Sequence, residues 1–129
     1  MTALDASPDD VLRLVQLARE FHAKEAVSIP EEGSNPADDW PAYVLADHAE
    51  DTTLGEFRSI ISDMDRDQQT QVVALLWLGR GDYEPEEWNR LLEDAGAAWN
   101  EHTADYLIAH PMLADHLEEG LQLLEYDLE

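Results

Sequence analysis

Val11, Leu14, Val15, Ala18 and Phe21 recur at spacings of three and four, the period that lines one side of an α-helix. The stretch ahead of them, Ser7-Pro8-Asp9-Asp10, predicts where that helix starts. Ser7 suits the cap, Pro8 the first helical position, and the two aspartates the positive end of the helix dipole. The helix is expected to end near Ala26. Residues 27–41 then carry Pro30, Gly33, an Asn35-Pro36 pair and Pro41, which no regular element can cross. A short helical turn is expected over Ala42 to Asp47.

The helical period returns with Leu54, Phe57, Ile60, Ile61 and Met64. Thr53 and Glu56 have capping-box spacing, so this second helix is expected over about residues 53 to 64. A third is expected from about Asp67 to Leu78. Val72 to Leu78 is apolar on every side, so its end should be wrapped by other helices. Pro85, Glu86 and Glu87 open a fourth helix, with Trp88, Leu91, Leu92, Ala95 and Trp99 at helical spacing. The last segment should break at His110-Pro111, because proline disfavours an α conformation before it and lacks a backbone donor. Leu113, Leu117, Leu121 and Leu124 form the buried row of the restarted helix. No alternating strand pattern and no internal repeat is present. The expected architecture is all-α, a compact single-domain bundle of about five to six helices with one long irregular N-terminal connection.

Charge narrows the range of partners. The 129 residues carry 7 basic against 30 acidic side chains, for a net charge of −23. The imbalance pervades the chain, with three basic against eleven acidic residues over 1–50 and four against nineteen over 51–129. Nucleic-acid affinity depends on Lys and Arg neutralising phosphates, so neither nucleic acid nor an anionic membrane is an expected partner. A basic protein is. No cysteine is available for disulfides, thiolate metal sites or nucleophilic catalysis. The longest apolar run, Val72 to Leu78, is far below the roughly 20 residues of a membrane-spanning helix. The first residues show neither the basic nor the apolar segment of a signal peptide, and a cytoplasmic location is expected.

Asp63-Met64-Asp65-Arg66-Asp67 opens like a calcium loop. The glycine and glutamate that such a loop needs at its sixth and twelfth positions are replaced by Gln68 and Ala74, so capping of the third helix is the better reading. Among the five histidines, His116 and Glu119 form one tight helical pair, which supplies at most two metal ligands. No metal or cofactor is expected. Asp105 and Tyr106, beside His110 and Asp115, are the densest polar cluster next to apolar residues, and a cleft there would be the first place for a carboxylate–His site. Gly79-Arg80-Gly81-Asp82 lacks the lysine and the preceding strand of a phosphate loop. One of its glycines should close the third helix in a left-handed conformation, with Arg80 covering the helix's last carbonyls and Asp82 leading on to Pro85. Trp77, Trp88 and Trp99 are spaced by eleven but do not share a helix. Core packing is the simpler role for them, and a surface for a partner or a homodimer is the alternative.

Leu76-Trp77-Leu78-Gly79-Arg80-Gly81-Asp82, then Trp88, Thr103-Ala104-Asp105-Tyr106-Leu107, Pro111-Met112-Leu113-Ala114-Asp115 and Leu117-Glu118-Glu119-Gly120-Leu121 occur in that order. Over roughly residues 54–121 the chain thereby resembles a bacterial family catalogued as domain-of-unknown-function 3775. The resemblance implies a small, helical, bacterial and cytoplasmic protein and carries no activity or catalytic residues. The functional expectation is a protein-binding or regulatory module without catalysis. Its alternatives are an acidic nucleic-acid mimic that occupies a DNA-binding protein, and an enzyme or metal-binding protein with a carboxylate–His site near the last two helices. A further alternative is acidity that serves only solubility, for instance in a salty habitat. The candidate binding residues are Arg80, Asp82, Asp105, Tyr106, His110, Asp115, His116 and Glu119.

Overall fold

A computed structural model describes residues 7–24 and 52–124. The expected irregular connection, the helical turn over 42–47, the first helix's end near Ala26 and His48 lie outside the described residues. The described residues are mostly helical: α1 (Pro8–Lys24), α2 (Thr52–Asp63), α3 (Arg66–Arg80), a 3-10 turn (Pro85–Glu87), α4 (Trp88–Ala98), α5 (Thr103–Ile108) and α6 (Leu113–Leu123). The all-α expectation holds.

Helix α3 is the centre. Every residue from Thr70 to Leu78 is buried, which matches the all-round burial expected of the apolar run Val72 to Leu78 and extends it to the polar Thr70 and Gln71, and α4, α5 and α6 pack around the helix. Asp65 caps its start: the Asp65 carboxylate accepts the Gln68 backbone N–H at 2.8 Å, and the Gln68 side chain accepts the Asp65 N–H at 3.0 Å. This capping role replaces the calcium loop, as the sequence indicated. At the other end Gly81 adopts φ +94°, and the Gly81 and Asp82 N–H groups close onto the Leu78 and Trp77 carbonyls. Gly79 has a different task. A Cβ there would lie 1.8 Å from the His116 carbonyl oxygen of α6, while a Cβ on Gly120 of α6 would lie 2.5 Å from the Leu75 carbonyl of α3. The pairing of 75 with 120 and 79 with 116 shows that the two helices run antiparallel, with their backbones in contact.

Helix α1 packs its buried face of Val11, Leu14, Val15, Leu17, Ala18 and Phe21 against α2 and α6. The Ser7 carbonyl accepts the Val11 N–H, which places Ser7 at the cap as expected. Helix α2 lies within one residue of its expected bounds. It begins at Thr52, so Thr53 is already helical, and the Glu56 carboxylate takes the Arg13 guanidinium of α1 at 2.5 Å. This long-range ion pair ties the first turns of α2 to α1. The break at His110-Pro111 and the buried row Leu113, Leu117, Leu121 and Leu124 are as predicted.

Candidate functional site

An open cleft of about 570 Å³ lies between α2 and the entry to α5. Gly55, Arg58, Ser59 and Ser62 line one wall, and their spacing of three and four puts them on one stripe of α2. Asp105 and His102 line the other, which is shaped by an Asn100 turn: the Asn100 side chain accepts the His102 N–H, and the Thr103 hydroxyl donates to the Asn100 carbonyl. The Arg58 Nε–H donates to Asp105 Oδ1 at 2.7 Å across the cleft. Trp99 closes one end. Its indole N–H donates to Gln69 Oε1 at 2.8 Å, and the Gln69 amide N–H group donates to the Ile61 carbonyl near the end of α2 and to the Met64 carbonyl just beyond it. The Arg66 guanidinium stands 4.7 Å from the Trp99 ring centre. Trp99 is thus held by two residues of α3, one of which is itself tied to the end of α2.

The structure separates the polar cluster that the sequence brought together. Asp105 faces the cleft, but the adjacent Tyr106 points into the core and is fully buried. Successive helical residues diverge by about 100°, so neighbours in sequence are not neighbours in a site. His110, four residues after Tyr106, follows it into the core, where His110 Nδ1 lies 2.7 Å from the Tyr106 carbonyl and therefore carries the proton. The Tyr106 hydroxyl accepts the Trp77 indole N–H at 2.9 Å. Both are structural. Asp115 is exposed on α6 and, with Glu118, binds the Arg19 guanidinium of α1. His116 is half-buried, and its backbone abuts Gly79; Glu119 is exposed. Arg80 and Asp82 pair with each other at 2.7 Å at the α3 corner, away from the cleft. Among the described residues, no three His, Asp or Glu side chains converge as a metal site.

Sequence reasoning missed Arg58, Ser59, Trp99 and His102 as cleft residues. The polar stripe on α2 was readable, but it looks like any solvated helix face until α5 is placed opposite. It also missed His22, whose Nε2–H donates to the Ile108 carbonyl at 2.7 Å beside a smaller crevice bounded by Arg19, Pro111 and Asp115. Burial holds the His22 pKa below its ordinary value, against the opposing effect of that hydrogen bond. The Tyr83 hydroxyl donates to Asp94 at 2.5 Å, and that hydrogen bond raises the phenol pKa.

The cations are largely consumed internally. Of the six arginines, Arg13, Arg19, Arg58 and Arg80 form ion pairs with Glu56, with Asp115 and Glu118, with Asp105 and with Asp82, and Arg66 lies on Trp99. Meanwhile Asp82, Glu84, Glu86, Glu93 and Asp94 are all exposed along the α3–α4 corner and the middle of α4. No described helix is long and apolar enough to cross a membrane.

No curated protein and no solved structure matches the chain. The family described as "Protein of unknown function (DUF3775)" matches residues 54–126, which takes in α2 from Leu54 onward and all of α3 to α6, with the helix-closing Gly81 and the packing glycines 79 and 120. The chain belongs to this family.

Proposed function

We propose that the protein is a protein-binding module without catalysis of its own, and that the exposed carboxylates around Asp82 to Asp94 receive a basic partner. The observation behind this reading is the disposition of the arginines. Arg13, Arg19, Arg58 and Arg66 are held by partners elsewhere in the fold, so of the arginines only Arg80, paired with Asp82, and Arg90 stand among the carboxylates of this face. Such a face accelerates association with a positively charged surface and makes it sensitive to salt. The carboxylate–His alternative loses support because His110 is sealed in the core.

The test compares the wild-type chain with Glu84→Gln, Glu86→Gln, Glu93→Gln as immobilised bait. A basic partner should be retained by the wild type at low salt, released by raised salt, and lost to the triple variant. Equal recovery on both baits, or recovery of no basic protein, overturns the reading. A DNA-binding protein as the specific partner would specify it as mimicry of nucleic acid.

A further inference from the structure

The cleft between α2 and α5 has features that packing does not explain. Glycine inside a helix is destabilising relative to alanine, yet nothing lies within 4 Å of a Cβ built on Gly55, so no neighbour requires its absence. Gly55 sits on the cleft wall one turn before Arg58 and Ser59. Arg58 uses only Nε in its bond to Asp105. Among the described residues, no hydrogen bond engages the outer edge of its guanidinium or the Ser59 hydroxyl. That outer edge presents paired N–H donors in the geometry that matches a carboxylate.

A simple anion is a poor fit, because the chain carries −23 and both Asp105 and Glu101 line the same cleft. A zwitterion avoids this conflict. It has no net charge to be repelled, and its ammonium group meets the carboxylates while its carboxylate meets Arg58. Ile61, Ala104 and the Trp99 ring provide apolar wall between these groups. We propose that the cleft binds a small zwitterion of the free α-amino-acid type with an apolar side chain, its carboxylate on Arg58 and Ser59 and its ammonium on Asp105 and Glu101. This site is separate from the acidic face at Asp82 to Asp94, and neither proposal depends on the other.

The test is a titration of the ¹⁵N-labelled full chain with L-phenylalanine and L-leucine, followed at the Trp99 indole N–H and the Gly55 and Ser59 amides. We expect saturable shifts at these positions with a Kd of about 1 mM or tighter. Phenylpropionate, which lacks the ammonium, and phenethylamine, which lacks the carboxylate, should each bind at least about tenfold more weakly. Arg58→Gln should abolish the shifts, and so should Ser59→Leu, an exposed position whose replacement fills the cleft mouth without touching the ion pair. The second variant carries the test if the first does not fold. Absence of saturation by either amino acid, equal binding of either single-charge analogue, or unchanged binding in a folded variant overturns the proposal.

Discussion

Gly79 of α3 lies so close to His116 of α6 that a Cβ on the glycine would come within 1.8 Å of the histidine carbonyl oxygen. The reciprocal contact, Gly120 against the Leu75 carbonyl, makes the α3–α6 crossing a backbone-to-backbone contact. Because the obstructing atoms are main chain, they cannot rotate away, and one helix must move as a body. Gly79→Ala and Gly120→Ala should therefore each destabilise by about 2–4 kcal/mol, with Gly79 the worse, read from chemical-denaturation midpoints. Gly55→Ala, with open space around it, should instead be neutral or stabilise by about 0.5–1 kcal/mol. Equal penalties at all three positions would contradict the close crossing.

Gly81→Ala tests a different use of glycine. Its φ of +94° is a conformation that side chains resist, while nothing crowds a Cβ there. A loss of about 1–2 kcal/mol is expected from backbone strain alone. Gly81→Asn should recover part of it, because asparagine tolerates left-handed geometry better than alanine.

Tyr106→Phe removes the acceptor for the Trp77 indole N–H and leaves that donor unpaired in the core. The expected cost is about 1–3 kcal/mol, with a change in tryptophan fluorescence on the same variant. The double variant Trp77→Phe, Tyr106→Phe should lose less than the sum of the two single changes, since no orphaned donor remains. Strict additivity would mean that the bond contributes little.

Acid should reveal His22. Its folded pKa is lowered, chiefly by burial, so the unfolded chain binds a proton first as the pH falls below about 6.5. The contribution of neutral His22 is therefore complete above that pH and shrinks as pH drops towards the lower folded value. Carboxylate protonation pulls the other way by relieving the repulsion of a −23 chain, so the wild-type profile alone is ambiguous. The difference between wild type and His22→Gln, which keeps a side-chain donor for the Ile108 carbonyl, isolates the histidine. That difference should be flat above about pH 7 and fall as the pH drops below about 6.5. A difference independent of pH throughout would remove His22 as a titrating element.

Self-repulsion predicts that added sodium chloride stabilises the fold. The screening length shortens from about 10 Å at 0.1 M to about 3 Å at 1 M, which weakens carboxylate–carboxylate repulsion across the surface. The exposed ion pairs, such as Arg13–Glu56, lose little by comparison, because such pairs contribute about 0–1 kcal/mol each. The melting temperature should rise with salt and level off. A fall would show that the arginine pairs outweigh the repulsion.

What could be read from the residues alone was whatever depends on short-range periodicity and local backbone chemistry. The helix-closing glycine, the start of α1 at Ser7-Pro8, the break at His110-Pro111 and the central burial of α3 all follow from spacing, proline geometry and apolar content within about one or two turns. The misreadings arise where a distant partner intervened. Glu56, whose spacing from Thr53 suggested a local capping role, pairs with Arg13, 43 residues away in sequence. Asp105 and Tyr106 parted because a helix turns about 100° per residue, and only the packing of α5 against α2 and α3 decides which side becomes cleft and which becomes core. Arg58 and Asp105, likewise, are unremarkable charges 47 residues apart until the bundle closes. Local geometry is written in neighbouring residues, whereas a site is written in which helix faces which, and that is settled only when the whole buried surface is satisfied at once.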